Sequence, residues 1–141
     1  MKLILVSHGP LSQALLQSAE MIVGKVAGVT ALSLQPGMSP DTLQAQIEAV
    51  IKKDATDSDI VVALDLLGGT PANVTSKLLV VYPQLNVVTG MNLPLVIEFA
   101  NQQLLGGRLH FDQLLSMGKD GIVDVKAQLA NVDDDDDDDD E

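Results

Sequence analysis

An uninterrupted apolar run constrains the fold of this chain more than any other feature. Residues 60–64 read Ile-Val-Val-Ala-Leu and end directly before Asp65. A short run that is apolar at every position predicts a strand covered on both faces. Such strands lie inside parallel sheets, since the crossovers that join parallel strands place helices over both faces. The run therefore favours an α/β architecture.

Shorter apolar runs alternate with helix-spaced segments along the rest of the chain. The order βαβα implies a mostly parallel sheet with helices on both sides, which is a flavodoxin-like three-layer sandwich with strand order 2-1-3-4. Strands are predicted at residues 3–6, 29–34, 60–64 and 85–89, and helices at 10–23, from Ser39-Pro40 onward, from Pro71 onward, at 92–105 and at 111–117. A last strand is predicted over Ile122–Val125, either at a sheet edge or paired with a partner chain.

Composition narrows the functional classes. The 141 residues fit one domain, and because only 2% of them are aromatic the core must be aliphatic. The net charge of −12 and the few aromatic rings argue against a nucleic-acid partner. With no cysteine, no signal-peptide pattern and no apolar run long enough to span a bilayer, we expect a cytoplasmic protein.

The charge is concentrated at the C-terminus. Residues 133–141 are eight aspartates and one glutamate, and without them the net charge of −12 falls to −3. A run of like charges repels itself and is typically solvated. We therefore expect a domain over residues 1–132 followed by a disordered acidic tail over residues 133–141.

Two chemically useful residues follow neighbouring strands. His8 follows the first strand and Asp65 follows the third. In the predicted strand order these strands are adjacent, and open parallel sheets bind ligands at the carboxyl ends of their strands. An aspartate beside a histidine fixes its tautomer, leaves the other ring nitrogen free as a nucleophile and stabilises the cationic ring. His8 and Asp65 are therefore the candidate catalytic pair.

The residues after Asp65 indicate an anionic ligand. Gly68, Gly69 and Thr70 precede Pro71 at a predicted helix start, where free N–H groups and the helix dipole favour phosphate. Thr70 is also expected to cap that helix. No lysine accompanies the glycines, so the segment is not a nucleotide P-loop. A nucleophilic histidine, an orienting aspartate and an anion cradle together indicate phosphoryl transfer through phosphohistidine.

Other polar residues near the strand ends are weaker candidates. Ser7, Ser12 and Asn73 either reach the same crevice or face elsewhere, and Met91 and Asn92 border it if the fourth strand ends there. His110 is interpreted as structural or surface-exposed, because no cluster of metal-ligating residues accompanies it. No metal and no cofactor is expected.

Three segments give the chain a family resemblance. Leu5-Val-Ser-His-Gly9, Asp65-Leu-Leu-Gly-Gly-Thr-Pro-Ala-Asn73 and Val88-Thr-Gly-Met-Asn-Leu-Pro94 resemble the mannose-family enzyme IIA components of the bacterial phosphoenolpyruvate-dependent sugar phosphotransferase system. The resemblance implies that His8 carries phosphate, Asp65 is its partner acid and Thr70 lies beside the phosphoryl group. It also implies phosphate transfer from the phosphocarrier HPr to a separate IIB protein, which serves membrane IIC and IID subunits.

The resemblance carries a structural expectation and leaves alternatives open. Members of this family are typically homodimers that exchange a C-terminal strand, which would account for the isolated segment at residues 122–125. The phosphocarrier subunit of phosphoenolpyruvate-dependent dihydroxyacetone kinase is a related alternative, as is a regulatory binding module of the same fold that carries no phosphate. The sequence does not name the transported sugar.

Overall fold

The computed structural model describes residues 1–53 and 59–138, and within these residues the sheet has four parallel strands. They are paired in the order β2-β1-β3-β4, which confirms the predicted order. Val6 lies opposite Leu64 and His8 opposite Leu34, so the carboxyl ends of β1, β2 and β3 form one edge. The strands are β1 (Lys2–His8), β2 (Val29–Leu34), β3 (Ile60–Leu64) and β4 (Asn86–Thr89).

Helices cover both faces of this sheet. On one face, α2 and α3 pack around buried side chains that include Ile47 and Leu78. On the other face, α1, α4 and α5 pack around a second cluster that includes Phe99 and Leu114. The helices are α1 (Leu11–Val23), α2 (Pro40–Lys52), α3 (Gly69–Val81), α4 (Leu93–Leu104), α5 (Phe111–Asp120) and α6 (Val125–Asp138). The predicted three-layer sandwich is therefore confirmed.

Strand alternation decides which side each residue of β1 faces. Ile4 and Val6 belong to the cluster under α2 and α3, whereas Leu3 and Leu5 belong to the cluster under α1, α4 and α5. Successive side chains of a strand point to opposite faces. By the same alternation, His8 lies on the same side of the sheet as Ile4 and Val6, which is the side that α3 covers.

Two predicted helix starts behave differently in the structure. Ser39 caps α2 as expected, since its hydroxyl accepts the N–H of Thr42 at 3.1 Å. The expectation that Thr70 caps α3 is wrong. The helix begins two residues earlier than predicted, at Gly69, with Gly68 as its N-cap. Glycine accepts the positive φ values found here, 151° and 80°, and so moves the helix start upstream of Thr70.

The C-terminal segment differs most from the sequence prediction. The strand expected over Ile122–Val125 is wrong, because residues 122–124 have no regular structure and α6 begins at Val125. A strand needs a neighbour for its hydrogen bonds. Asp124 instead caps a helix, accepting the N–H of Ala127 at 3.1 Å.

Helix α6 extends into the acidic run as far as Asp138. The expectation of a disordered tail over residues 133–141 stays a prediction. Residues 139–141 lie outside the described part of the chain. The large apolar side chains that precede the acidic run, over residues 122–132, are all exposed: Ile122, Val123, Val125, Leu129 and Val132.

Candidate functional site

His8 and Asp65 meet at the carboxyl edge of the sheet, as the sequence predicts. Asp65 follows β3 directly, and its Oδ2 atom lies 2.8 Å from His8 Nδ1. The same oxygen accepts the main-chain N–H of His8 at 2.9 Å. The His8 side chain is 42% exposed and that of Asp65 only 9%. Asp65 is therefore a shielded anchor, and the imidazole that it holds remains open to a reactant.

The hydrogen bonds of Asp65 keep it ionised. Burial alone would raise its pKa, but the main-chain and side-chain bonds from His8 and the N–H of Leu66, 2.9 Å from Oδ1, outweigh burial. The net result is a pKa below the ordinary value of 3.8. Hydrogen bonds to the charged form of a carboxylate favour that form. At neutral pH, Asp65 accepts hydrogen bonds and donates none.

This charge state determines the proton position on His8. Because an ionised carboxylate has no proton to donate, Nδ1 must be the donor across the 2.8 Å contact. A neutral imidazole carries only one ring proton, so its lone pair then lies on Nε2. The free nucleophilic nitrogen is the one that points away from Asp65.

Nε2 faces the beginning of α3. A methyl group added at Gly69 would lie 2.7 Å from His8 Nε2 and 3.0 Å from Cε1. Only a residue without a side chain allows this approach of the ring to the main chain. The first N–H groups of a helix have no carbonyl partner within the helix, and they favour an anion. The lone pair of His8 and this helix terminus therefore border one small space.

Comparisons with known proteins assign the chain to a family. The family model EIIA-man, described as the PTS system fructose IIA component, matches residues 2–107. The chain belongs to this family.

Curated relatives and solved structures add detail to the family assignment. The sorbose-specific EIIA component of Klebsiella pneumoniae is 34% identical over 71% of this chain and 73% of its own length. The mannose-specific EIIAB component of Escherichia coli strain K12 is 27% identical over 89% of this chain, which spans only 40% of that relative. The mannose/sorbose-specific IIA subunit of Enterococcus faecalis superimposes with a TM-score of 0.75 at 35% identity, covering 88% and 93% of the two chains.

The remaining candidates of this IIA component do not all face the site. Thr70 is half-buried on the first turn of α3, on the side of the sheet where His8 lies. Asn73 is exposed further along the same helix. Ser7 and Ser12 are completely buried, and the Ser12 hydroxyl donates to the carbonyl of Leu32 at 2.7 Å. Neither serine hydroxyl is oriented toward the open face of His8.

Met91 and Asn92 serve the fold. Met91 is buried in the core under α1, α4 and α5. Asn92 caps α4, since its Oδ1 accepts the N–H of Leu95 at 3.1 Å and its Nδ2 donates to the carbonyl of Gly118 at 2.7 Å. These contacts hold α5 against α4 and leave no role for the two side chains in the His8 crevice.

The sequence interpretation overlooked two leucines beside the site. Leu66 and Leu67 lie between Asp65 and the glycines, and their side chains are 52% and 84% exposed. Apolar residues in a turn are the signal that was available, since a turn has no core to cover them. Exposed apolar residues next to a reactive group are typical of a surface that contacts another macromolecule.

The second histidine lies apart from the site. His110 is exposed directly before α5, and its main-chain N–H donates to Gln102 Oε1 at 2.8 Å. This confirms its interpretation as a surface residue. Among the described side chains, those of residues 1–53 and 59–133, no three metal-ligating groups come together to hold an ion. In the same part of the chain, no helix is long and apolar enough to cross a membrane.

Proposed function

We propose that this IIA component is a phosphoryl carrier, which accepts phosphate from phospho-HPr on Nε2 of His8 and passes it to a IIB protein. One observation carries the proposal. Nδ1 of His8 is held by ionised Asp65, so Nε2 presents its lone pair to the N-terminus of α3. A nucleophile that faces an anion-binding terminus is the arrangement that phosphoryl transfer needs.

The proposed transfer balances without a further reactant. The Nε2 lone pair attacks phosphorus while the bond from phosphorus to the donor atom breaks, and the bonding electrons leave with the donor. The Nδ1 proton stays between the ring and Asp65, whose negative charge offsets the positive charge on the phosphorylated ring. The reverse displacement then delivers the phosphoryl group to the IIB protein and returns His8 to its starting tautomer.

The start of α3 supplies the phosphate contacts in this proposal. Gly69 brings the main chain close to Nε2. The N–H groups of the first turn, which follows the N-cap Gly68, stabilise the phosphoryl oxygens. The Thr70 hydroxyl donates a further hydrogen bond to one of these oxygens. Pro71 has no N–H, so this role falls to its neighbours.

The protein partners dock around the same residues. HPr and IIB must each bring a reacting atom to His8, so both use the surface that surrounds it. Exposed Leu66 and Leu67 supply the apolar part of that surface. In this proposal the protein works in the cytoplasm and contacts the membrane IIC and IID subunits only indirectly, through IIB.

We also propose a homodimer, in which the C-terminal segment of each copy packs on the other. Among the described residues β4 pairs only with β3, so it lies at the edge of the sheet, and a groove beside it is lined by Val88 and Leu115. The exposed apolar residues of the C-terminal segment match this apolar groove in character.

The decisive experiment measures phosphate uptake. Incubation with radiolabelled phosphoenolpyruvate, enzyme I and HPr should add one acid-labile, base-stable phosphate per chain. We expect His8→Ala to take up none, since no other group here has an imidazole lone pair beside an anion site.

His110→Ala is the matched control, because His110 is an exposed histidine outside the site. It should be phosphorylated like the wild type. Uptake by His8→Ala, or loss of uptake in His110→Ala, would contradict the assignment. Transfer onward is tested by adding IIB to the isolated phosphorylated protein and following the label.

A further inference from the structure

The turn that follows His8 is tied together by one buried hydroxyl. Ser7 is completely buried. Its Oγ accepts the main-chain N–H of Ser12 at 2.9 Å and donates to the carbonyl of Gly9 at 3.0 Å. The side chain that immediately precedes His8 therefore connects the residue after His8 to the first turn of α1.

This hydroxyl takes the place of a helix cap. The N-cap residue of α1 is Pro10, which makes no side-chain capping bond. The first N–H groups of a helix need acceptors from outside the helix. Ser12 is completely buried, so water cannot serve its N–H. Ser7 supplies the acceptor from the adjacent strand, and it thereby fixes where α1 begins relative to β1.

Hydrogen bonds rather than packing hold this turn. Gly9 has a φ of +61°, and a side chain added there would meet nothing within 4 Å. Its N–H donates to the carbonyl of Leu34 at 2.9 Å, and its carbonyl accepts from Ser7. Removing the hydroxyl would leave the Gly9 carbonyl and the Ser12 N–H without this partner. The Gly9 carbonyl belongs to the residue directly after His8.

We propose that Ser7 is a positioning residue for His8, which keeps the imidazole in register with Asp65 and the start of α3. Ser7 touches neither Asp65 nor the space in front of Nε2, so it acts through the main chain. This inference rests on the proposed function, because the expected consequence of losing the Ser7 hydroxyl is a slower phosphoryl transfer. A displacement of a reacting group by about 1 Å can lower the reaction rate roughly 100-fold.

The sharpest test compares Ser7→Thr with Ser7→Val. The two side chains have nearly the same volume and branching, so they disturb the buried site alike, but only threonine retains the hydroxyl. We expect Ser7→Val to be phosphorylated by phospho-HPr about 10 to 100 times more slowly than Ser7→Thr, per folded molecule. Circular dichroism measures the folded fraction. Rates within twofold of each other would overturn the proposal.

Ser33→Ala controls for a general effect of buried serines. Ser33 lies on the neighbouring strand, is 7% exposed and has its hydroxyl 3.2 Å from that of Ser12. It makes a further hydrogen bond to the Gln13 side chain but none with the turn of His8. We expect this variant to keep the wild-type rate even if it is less stable. A loss of rate as large as that of Ser7→Val would overturn the proposal.

Nitrogen NMR of the histidine rings provides a readout that needs no phosphoryl donor. In the wild type and Ser7→Thr, His8 should hold its proton on Nδ1, and in Ser7→Val the ring should populate both tautomers. An unchanged tautomer in Ser7→Val would overturn the positioning role. If the wild type took up no phosphate, the proposed function would fail, whereas the tautomer comparison would still decide the role of Ser7.

Discussion

The sheet edge at His8 and the segment after α5 are built in opposite ways. At the edge, the polar groups of His8 and Asp65 find their partners within the same chain, and the Asp65 side chain is only 9% exposed. After α5, apolar side chains project into solvent, with Ile122 84% exposed and Leu129 62% exposed. The first region is complete in a single copy. The second has the character of a surface that a partner covers.

This difference indicates which property of the protein each region controls. Hydrogen bonds act over a few ångströms, and those of Asp65 lie within one chain, so a change at the edge should alter chemistry without altering assembly. Burying an exposed aliphatic side chain is worth about 1.5–3 kcal/mol, so several such residues on one segment favour association strongly. A change in the C-terminal segment should therefore alter assembly and leave the first phosphorylation step intact.

Matched aspartate substitutions give the largest expected contrast between the two regions. Asp65→Asn retains the shape but loses the negative charge that fixes the Nδ1 proton, and it should lower the rate of phosphorylation by roughly 100-fold or more. Asp124→Asn removes a carboxylate that caps α6 and should leave the rate unchanged. Rapid-quench measurements with phospho-HPr check both variants. Equal rates in Asp65→Asn and the wild type would remove the charge of Asp65 from the mechanism.

The second contrast concerns assembly. Replacing Ile122 and Val125 together by aspartate places charges on the exposed apolar segment and should convert the proposed homodimer to a monomer. The expected loss exceeds a factor of about 100 in the dimerisation constant, because two aliphatic contacts are lost in each copy. Light scattering after size-exclusion chromatography measures the mass.

The edge region supplies the control for this assembly test. Asp65→Asn should retain the mass of the wild type, since its partners lie within one chain. Two results would contradict the division of roles: a monomeric wild type, or an aspartate double variant that remains dimeric.

The same contrast explains how far the sequence could predict this molecule. The strands at residues 29–34 and 60–64 and the pairing of His8 with Asp65 follow from apolar periodicity and sheet topology, which are local or set by a few rules. The strand expected over Ile122–Val125 is wrong because β-branched residues only favour a strand where a neighbouring strand is available. That neighbour is a tertiary property, which a local pattern does not contain.

Two smaller departures have equally physical reasons. Thr70 resembles a helix cap in sequence, but the positive φ of Gly69 is what determines the start of α3. Ser7 has a hydroxyl whose direction depends on where α1 packs, so its bond to Ser12 becomes visible only in three dimensions. Both residues lie within the site region, where main-chain geometry rather than side-chain pattern decides the outcome.

A pair of glycine substitutions examines the edge region more finely. Gly69→Ala and Gly37→Ala place a methyl group at the same φ of +80°, so both carry similar backbone strain, on the order of 1 kcal/mol. Only at Gly69 does the methyl group meet His8, 2.7 Å from Nε2, whereas at Gly37 it meets nothing within 4 Å. Gly69→Ala should therefore slow phosphorylation about tenfold beyond any change seen in Gly37→Ala. Equal rates in the two variants would show that the close approach of Gly69 to the ring is dispensable.

The smallest expected effect is a dependence of stability on pH that originates at the edge. Burial would raise the pKa of Asp65, but the hydrogen bonds from His8 and Leu66 hold it below its ordinary value of 3.8. A carboxyl group whose pKa is lower in the folded than in the unfolded state stabilises the fold above the unfolded pKa, and this contribution disappears as the pH falls through the folded pKa. Urea unfolding between about pH 7 and about pH 3 should show wild type losing more stability on acidification than Asp65→Asn, since asparagine does not titrate. Urea unfolding of Asp124→Asn over the same pH range gives the matching comparison for a carboxylate of the C-terminal segment. If the plots of unfolding free energy against pH for Asp65→Asn and the wild type ran parallel throughout that range, the expectation would be wrong. The hydrogen bonds of Asp65 would then not contribute to the pH dependence of stability.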